Sequence, residues 1–403
     1  MFYFDWIMFT SRTNWRLEPN RFTLALEEHR RSGKELWDLT VSNPTACGLA
    51  YPEQEIVAAL ADRRAIEYRP ESKGILEARK GVSDYYRGRM GLFGSGERVD
   101  PERILFTSGT SEGYSHIFRL LCEAGDEVLV PAPSYPLLEF LGDLADVRLL
   151  PYPLLYDHGW QIDFASLRAA LTPRSRAVLV VHPNNPTGSF VKRREAAELA
   201  EMCAARDMAI VADEVFLDYA GGPEPAQTFA FHDAALTFTL SGLSKISLLP
   251  QMKLAWMVVS GPQALVQTAV ERLEIIADTY LSPSTPVQLA LPKFLVLRQG
   301  LQAQLLQRIS TNIVILDGVL RESELLTRLE REGGWYAVLR VPATGPDEDL
   351  AVALLERSSV LVHPGHFFNF PQDGFLVLSL ITPELQFREG VRRLRKLFEE
   401  RGS

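Results

Sequence analysis

Lys245 stands in the phrase Ser241-Gly242-Leu243-Ser244-Lys245, directly after the apolar stretch Leu236-Thr237-Phe238-Thr239-Leu240. A lysine at the mouth of a buried strand is short of water. Burial opposes the ammonium form, so the amine is easily made neutral and nucleophilic. A neutral amine is what forms a Schiff base with an aldehyde. The bland alternative is a solvated loop lysine, and the residues upstream decide between the two.

Three other polar phrases precede it, each at the end of an apolar run. Ile104-Leu105-Phe106 leads into Thr107-Ser108-Gly109-Thr110-Ser111-Glu112, and Ala177-Val178-Leu179-Val180-Val181 into His182-Pro183-Asn184-Asn185-Pro186-Thr187-Gly188. Ala209-Ile210-Val211-Ala212 leads into Asp213-Glu214-Val215-Phe216. Each run is followed by an amphipathic helical pattern, such as Ile117, Leu120 and Leu121 after the first. Strand, polar loop, helix, repeated, predicts a parallel sheet covered by helices on both faces. Ligands of such sheets bind off the carboxyl ends of the strands. All four phrases are therefore expected at one edge of one sheet.

This ordered set resembles the fold-type-I aminotransferases of class I and II, which use pyridoxal 5'-phosphate. Asn185 and Asp213 are 28 positions apart, and Asp213 and Lys245 are 32 apart. Both spacings are usual for that family, and the likeness runs from about Asp38 to the C-terminus. The resemblance implies an aspartate aminotransferase-like α/β fold: a mostly parallel large domain (60–295) and a smaller α+β domain (1–59 with 296–403). It implies that Lys245 is the catalytic lysine carrying the cofactor as a Schiff base. The activity implied is transfer of an amino group between an amino acid or amine and a 2-oxo acid. A lyase, cyclase or racemase on the same scaffold is the second reading. A non-catalytic cofactor-binding regulator is the remote one, since such proteins carry an appended DNA-binding domain and the stretch before Asp38 has no room for one.

The likeness also assigns roles. Asp213 partners the pyridine nitrogen and keeps it protonated, which makes the ring an electron sink; a buried carboxylate without such a partner is costly. Asn185 donates to the ring's 3'-oxygen, although Asn-Asn-Pro-Thr-Gly is also good turn composition. Gly109, Thr110 and Ser111 open a helix that can hold the phosphate, with an ordinary helix cap as the alternative. Ser244 belongs to the same cofactor set. Tyr135, in Pro133-Ser134-Tyr135-Pro136, matches the aromatic stacked on the ring, and Tyr68, in Tyr68-Arg69-Pro70, the tyrosine that reaches the neighbouring subunit's phosphate. The latter implies a homodimer with shared sites. Asn43 and His366 lie on the two loops that line the substrate pocket in the family, as does His363.

Three departures stand out. Phe216 replaces the tyrosine usual three residues after the aspartate, so its hydroxyl is lost. Lys253 replaces the arginine that meets the phosphate eight residues after the lysine; it supplies charge but not a bidentate fork. The family's Arg-Leu-Ser phrase, whose arginine grips the substrate α-carboxylate, reads Val377-Leu378-Ser379. The pocket is expected to be aromatic and neutral rather than cationic.

The remaining features bound the setting. The chain has 403 residues, 46% hydrophobic, enough for two domains. Its net charge of −9, with no basic run, argues against nucleic-acid binding. Cys47, Cys122 and Cys203 are far apart, with neither disulfide nor metal spacing, which points to a reducing cytoplasm. No apolar stretch is long enough to span a bilayer. The apolar opening Met1 to Met8 is broken by Asp5 and lacks a basic segment, so it does not read as a signal peptide. It is either an upstream start, with Met8 the usual one, or an arm on a partner subunit. After residue 296 a long helix, expected over Lys293–Leu320, leads into short strands around Trp335–Leu339, Val360–Val362 and Phe375–Leu380.

Overall fold

The computed structural model describes residues 8–402 apart from 93, 96–97, 137 and 223–225. The opening segment 1–7 lies outside the described residues. Eight strands make the central sheet: β1 (Ile104–Thr107), β2 (Glu127–Ala132), β3 (Arg148–Tyr156), β4 (Trp160–Ile162), β5 (Ser175–Val181), β6 (Ala209–Asp213), β7 (Thr237–Gly242) and β8 (Ala255–Ser260). Their order across the sheet is β1-β8-β7-β6-β5-β2-β3-β4. The interior strands are nearly continuous runs of buried Val, Ile, Leu and Ala, as a sheet covered on both faces requires.

The sheet is mixed rather than wholly parallel. β8 runs antiparallel to both β7 and β1. The segment 243–254 that holds Lys245 joins β7 to β8, its neighbour in the sheet, and reverses the chain direction. Register brings the expected phrases together. Asp213 pairs with Leu240 on one side and Val181 on the other, while Ala255 pairs with both Gly242 and Thr107. The ends of β1, β5, β6 and β7 therefore share one edge.

Helix α1 (Thr110–Leu121) follows β1, and the single turn α2 (Leu243–Ile246) follows β7. The long helix α3 spans Thr285–Leu320, starting eight residues before its expected start and running through Pro292. Pro286 sits in its first turn, where a missing N–H is harmless, with Ser284 as the cap, and the helix continues through Pro292.

A second sheet has the order β9-β10-β12-β11, from β9 (Thr327–Arg328), β10 (Tyr336–Arg340), β11 (His363–Pro364) and β12 (Phe375–Ser379). Beside it the N-terminal segment forms a separate two-stranded sheet, in which Trp37–Asp38 pairs in parallel with Val360–Leu361. Ser379 N donates to Leu39 O at 2.7 Å, and the Ser379 hydroxyl donates to Val41 O. These bonds hold residues 39–41 against the end of β12. No described helix is long and apolar enough to cross a membrane.

Candidate active site

A cavity of about 340 Å³ opens where the two sheets meet. From the central sheet it is lined by Thr110, Ser111, Tyr114, Tyr135, Asn185, Asp213, Phe216, Ser244 and Lys245. From the second sheet and the N-terminal segment come Ser42, Tyr336, His363, Phe367 and Phe368. Seven of the expected cofactor residues thus share one wall, although 135 positions separate Thr110 from Lys245.

Lys245 is held on a rigid base. The Tyr219 hydroxyl donates to its carbonyl oxygen at 2.7 Å, and Gln302 Nε2 donates to the next carbonyl, Ile246 O, at 2.7 Å. Its Nζ lies 4.8 Å from the centre of the Trp335 ring and 5.6 Å from that of Phe216. Two aromatic faces replace water around the amine. This desolvation lowers its pKa to about 8, against the opposing pull of the Asp213 carboxylate.

Asp213 ends β6 and, like Lys245, is partly buried. Tyr114 donates its phenolic proton to Oδ2 at 2.7 Å, and Val215 N donates to Oδ1 at 3.1 Å. Burial raises the carboxyl's pKa, and these donors with Lys245 hold it back. Tyr114 was not singled out from sequence. The signal was present: it lies four residues after Thr110 and three after Ser111, one helical turn along the same face.

Helix α1 begins at the cavity with no side-chain cap on its first N–H groups, and its cap residue Gly109 is extended. A Cβ built on Gly109 would meet nothing within 4 Å, so the space before the helix is open. The neighbouring acid points elsewhere: Glu112 accepts from Ser108 N at 2.6 Å and from the Ser108 hydroxyl at 3.0 Å. Asn185 Oδ1 is buried without a hydrogen-bond partner.

Five expected residues do not line the cavity. Gly109 stands just behind it as the helix cap. Lys253 is exposed, with left-handed backbone (φ 51°), two positions before the lining residue Ala255. Tyr68 is 78% exposed. Asn43 turns away because its Oδ1 caps the following turn, accepting from Thr45 N at 3.1 Å and from the Thr45 hydroxyl at 2.8 Å. Its neighbour Ser42 faces the cavity instead. His366 is exposed, its ring 4.7 Å from that of Phe367, and His363 supplies the histidine on the wall.

The arrangement suits a phosphorylated pyridine aldehyde. The uncapped helix end takes an anion, Asp213 a protonated ring nitrogen, the N–H of the Asn185 side-chain amide can donate to a ring oxygen, and Lys245 takes an aldehyde carbon. Tyr135 offers an aromatic face. Among the described residues no group of side chains could hold a metal ion.

Comparison with known proteins agrees with this chemistry. The family described as aminotransferase class I and II matches residues 34–394. The glutamate-pyruvate aminotransferase AlaA of Escherichia coli is 27% identical, over 88% of this chain and 89% of that protein. The arginine–pyruvate transaminase AruH of Pseudomonas aeruginosa is 28% identical, over 80% of each. The solved structure of an alanine aminotransferase from Pyrococcus furiosus shares the fold with a TM-score of 0.83 at 22% identity, covering 94% of this chain and 95% of that one. The chain belongs to the class I and II aminotransferases and is a pyridoxal 5'-phosphate-dependent enzyme.

Proposed function

We propose that this aminotransferase works through Lys245, with Asp213, Asn185, Thr110, Ser111, Ser244 and Tyr135 holding the cofactor and an amino donor and a 2-oxo acid alternating as substrates. The observation that carries this reading is the lysine itself: an amine between two aromatic faces, with a pKa of about 8, beside a partly buried carboxylate. The bound cofactor supplies the electron sink that makes the substrate's α-proton labile.

The protein's own residues do the rest. Lys245 would hold the cofactor's aldehyde carbon, and its Nζ, when free, would take the substrate's α-proton and hand it back. Asp213, fixed by Tyr114 and Val215, keeps the ring nitrogen protonated. Helix α1 anchors the phosphate. Trp335, Phe216 and Tyr336 keep water from the amine. Lys253 reaches the phosphate from its exposed turn, and Gly109 leaves room for it.

The same reading extends to assembly. The two sheets act as a large unit (60–295) and a small one (1–59 with 296–403), closing over the cavity between them. The protein is a cytoplasmic homodimer in which Tyr68 reaches the partner's phosphate. Exposed apolar side chains support such an interface: Ile66 and Tyr68 on one segment, Ile275 and Leu281 on another. The two segments are tied by a 2.9 Å bond from the Ser72 hydroxyl to Glu274.

The test is a half-reaction. Amine donors are added to the loaded protein without acceptor, and the cofactor spectrum and organic products are followed. Conversion of cofactor to its amine form, with a carbonyl product of the donor, is the expected result. Release of ammonia with the cofactor unchanged would replace transamination by elimination.

A further inference from the structure

The 2-oxo acid of the proposed reaction carries a carboxylate on its reacting carbon, and an amino-acid donor does too. That charge leaves water on entering the cavity and needs a partner there. Among the described residues that line the cavity only Lys245 and His363 are bases, and no arginine stands on the wall. Lys245 serves the reacting carbon itself, so His363 is the base left for the carboxylate.

Register fixes where His363 stands. Paired residues share a face of a sheet. His363 of β11 pairs with Val377 of β12, Val338 of β10 pairs with Val377 from the other side, and Tyr336 pairs with Ser379. Tyr336, Val338, Val377 and His363 therefore share one face, and Tyr336 and His363 line the cavity. Val377 is fully buried. Cross-strand neighbours have Cβ atoms about 4.5–5.5 Å apart, which makes the imidazole the polar group beside that isopropyl group. The rings of Phe367 and Phe368 flank it, their centres 6.2 and 5.6 Å from its own.

The imidazole has one nitrogen to spare. Burial pushes its pKa down to about 4, against the pull of the Asp38 carboxylate and of a bond to the Thr40 carbonyl, so the free ring is neutral at pH 7. Nδ1 is buried without a partner. The Thr40 bond is therefore made by Nε2–H, and Nδ1 is left as a bare lone pair. A lone pair repels a carboxylate, whereas a protonated Nδ1 donates to one. Asp38 is the charged group that acts on the ring, and it favours the cation. Asp347, on the helix Asp347–Ser358 packed against β11, is occupied by the N–H groups of Gly374 and Phe375. Tyr336 on β10 is held neutral by burial, and Lys245 and Asp213 line the cavity from the central sheet.

We propose that His363 recognises the substrate carboxylate: as the carboxylate enters, the ring takes a proton from solvent at Nδ1, and the imidazolium formed beside Val377 supplies the counter-charge and a hydrogen bond. The proposal rests on the aminotransferase reading with Lys245 at its centre, and it serves donor and acceptor alike. Carboxylate binding and proton uptake become one event. The ring is charged in the complex and neutral when free, so affinity is highest at low pH and is lost as the pH rises through the value in the complex. A contacting opposite charge raises a pKa by about 1–3 units; in the middle of that range the affinity falls about tenfold between about pH 5 and pH 8.

The experiment uses the loaded holoenzyme, with loading confirmed first by absorbance. If the protein does not load, the underlying reading fails, and the outcome is distinct from those below. Equilibrium binding of 3-phenylpropanoate and of the nearly isosteric, uncharged 3-phenylpropanamide, neither of which can react, is measured from about pH 5 to about pH 8. Net proton uptake is read by calorimetry in two buffers of different ionisation enthalpy, and the cofactor's own titration is followed by its absorbance and subtracted. The carboxylate's affinity should fall about tenfold over that range, with net proton uptake on binding, while the amide's stays within about twofold. A carboxylate that binds without proton uptake, or as tightly at the alkaline end as at the acid end, overturns the proposal, and so does one that fails to bind at millimolar concentration. His363→Gln keeps a side-chain N–H for Thr40 but cannot titrate. It should weaken carboxylate binding about tenfold at the acid end, spare the amide and abolish the pH dependence. Equal losses for both ligands would make His363 a packing residue, and no loss for either would place the carboxylate elsewhere; each overturns the proposal. The wild-type proton uptake stands by itself if the variant does not fold.

Discussion

Replacing Lys245 by methionine should stabilise the cofactor-free protein, by an amount that depends on pH. The lysine's pKa falls from 10.5 to about 8 on folding, chiefly through burial between Trp335 and Phe216. A drop of that size corresponds to roughly 3 kcal/mol at about 1.4 kcal/mol per unit. The sign follows from linkage: the folded value is depressed, so the folded state is most favoured above 10.5, where the amine is neutral in both states. Stability is lost as the pH falls from 10.5 towards 8, and the full penalty holds below that. Methionine fills a similar volume without a charge to desolvate. The variant's advantage should therefore approach a ceiling of about 3 kcal/mol at pH 7 and shrink to nearly nothing above pH 10.5. The attraction of Asp213 for the ammonium is already contained in the value of about 8. The assay is urea denaturation of both cofactor-free proteins across pH 6.5 to about 10.5. A variant no more stable than wild type at pH 7, or an advantage that does not shrink with rising pH, would refute a desolvated, low-pKa Lys245.

Three further outcomes follow from the same geometry. Tyr114→Phe removes the 2.7 Å donor to Asp213, so that carboxyl keeps its proton to higher pH and Lys245 loses part of its counter-charge. The pH midpoint of Lys245 acylation in the cofactor-free protein, read by mass spectrometry, should then fall below about 8, and an unchanged midpoint would show that the Tyr114 bond does not hold Asp213 ionised. Lys253→Ala should weaken cofactor binding by about 1.5–3 kcal/mol, the scale of a charge-assisted hydrogen bond; an unaltered dissociation constant would place that side chain away from the phosphate. The protein should sediment as a dimer, and mixing inactive Lys245→Ala with inactive Tyr68→Phe should restore some activity through mixed dimers; a monomer at micromolar concentration would remove Tyr68 from any shared site.

Much of the site was legible because its chemistry sits where a strand gives way to a loop. Lys245, Asp213, Asn185 and the Thr110–Ser111 pair each follow a run of buried aliphatic residues, and strand ends of one sheet share an edge. What could not be read locally depends on contacts between distant segments. Trp335, which helps desolvate Lys245, is 90 positions away and directly precedes β10; nothing in its own neighbourhood points to the amine. The choices of Asn43 over Ser42 and of His366 over His363 each went to the side chain that turns away. Asn43 is diverted by its cap on Thr45, and His366 sits in a tight turn where side-chain direction has no simple period. The antiparallel β8 was hidden because strand propensity carries no direction. Phe216 and Val377 were read as losses of a hydroxyl and a charge. In the folded protein both are apolar side chains shaping the cavity: Phe216 lies against the amine, and Val377 backs the substrate wall.

The central claim is that Lys245 is the residue that holds the cofactor. The direct measurement is borohydride reduction of the loaded wild-type protein, followed by proteolysis and mass analysis of every lysine-containing peptide. The account predicts one stoichiometric pyridoxyl phosphate adduct, on the peptide carrying Leu243-Ser244-Lys245, and none in Lys245→Ala. An adduct on Lys253 or any other lysine of the wild type, or a loaded protein that yields no adduct, would contradict it.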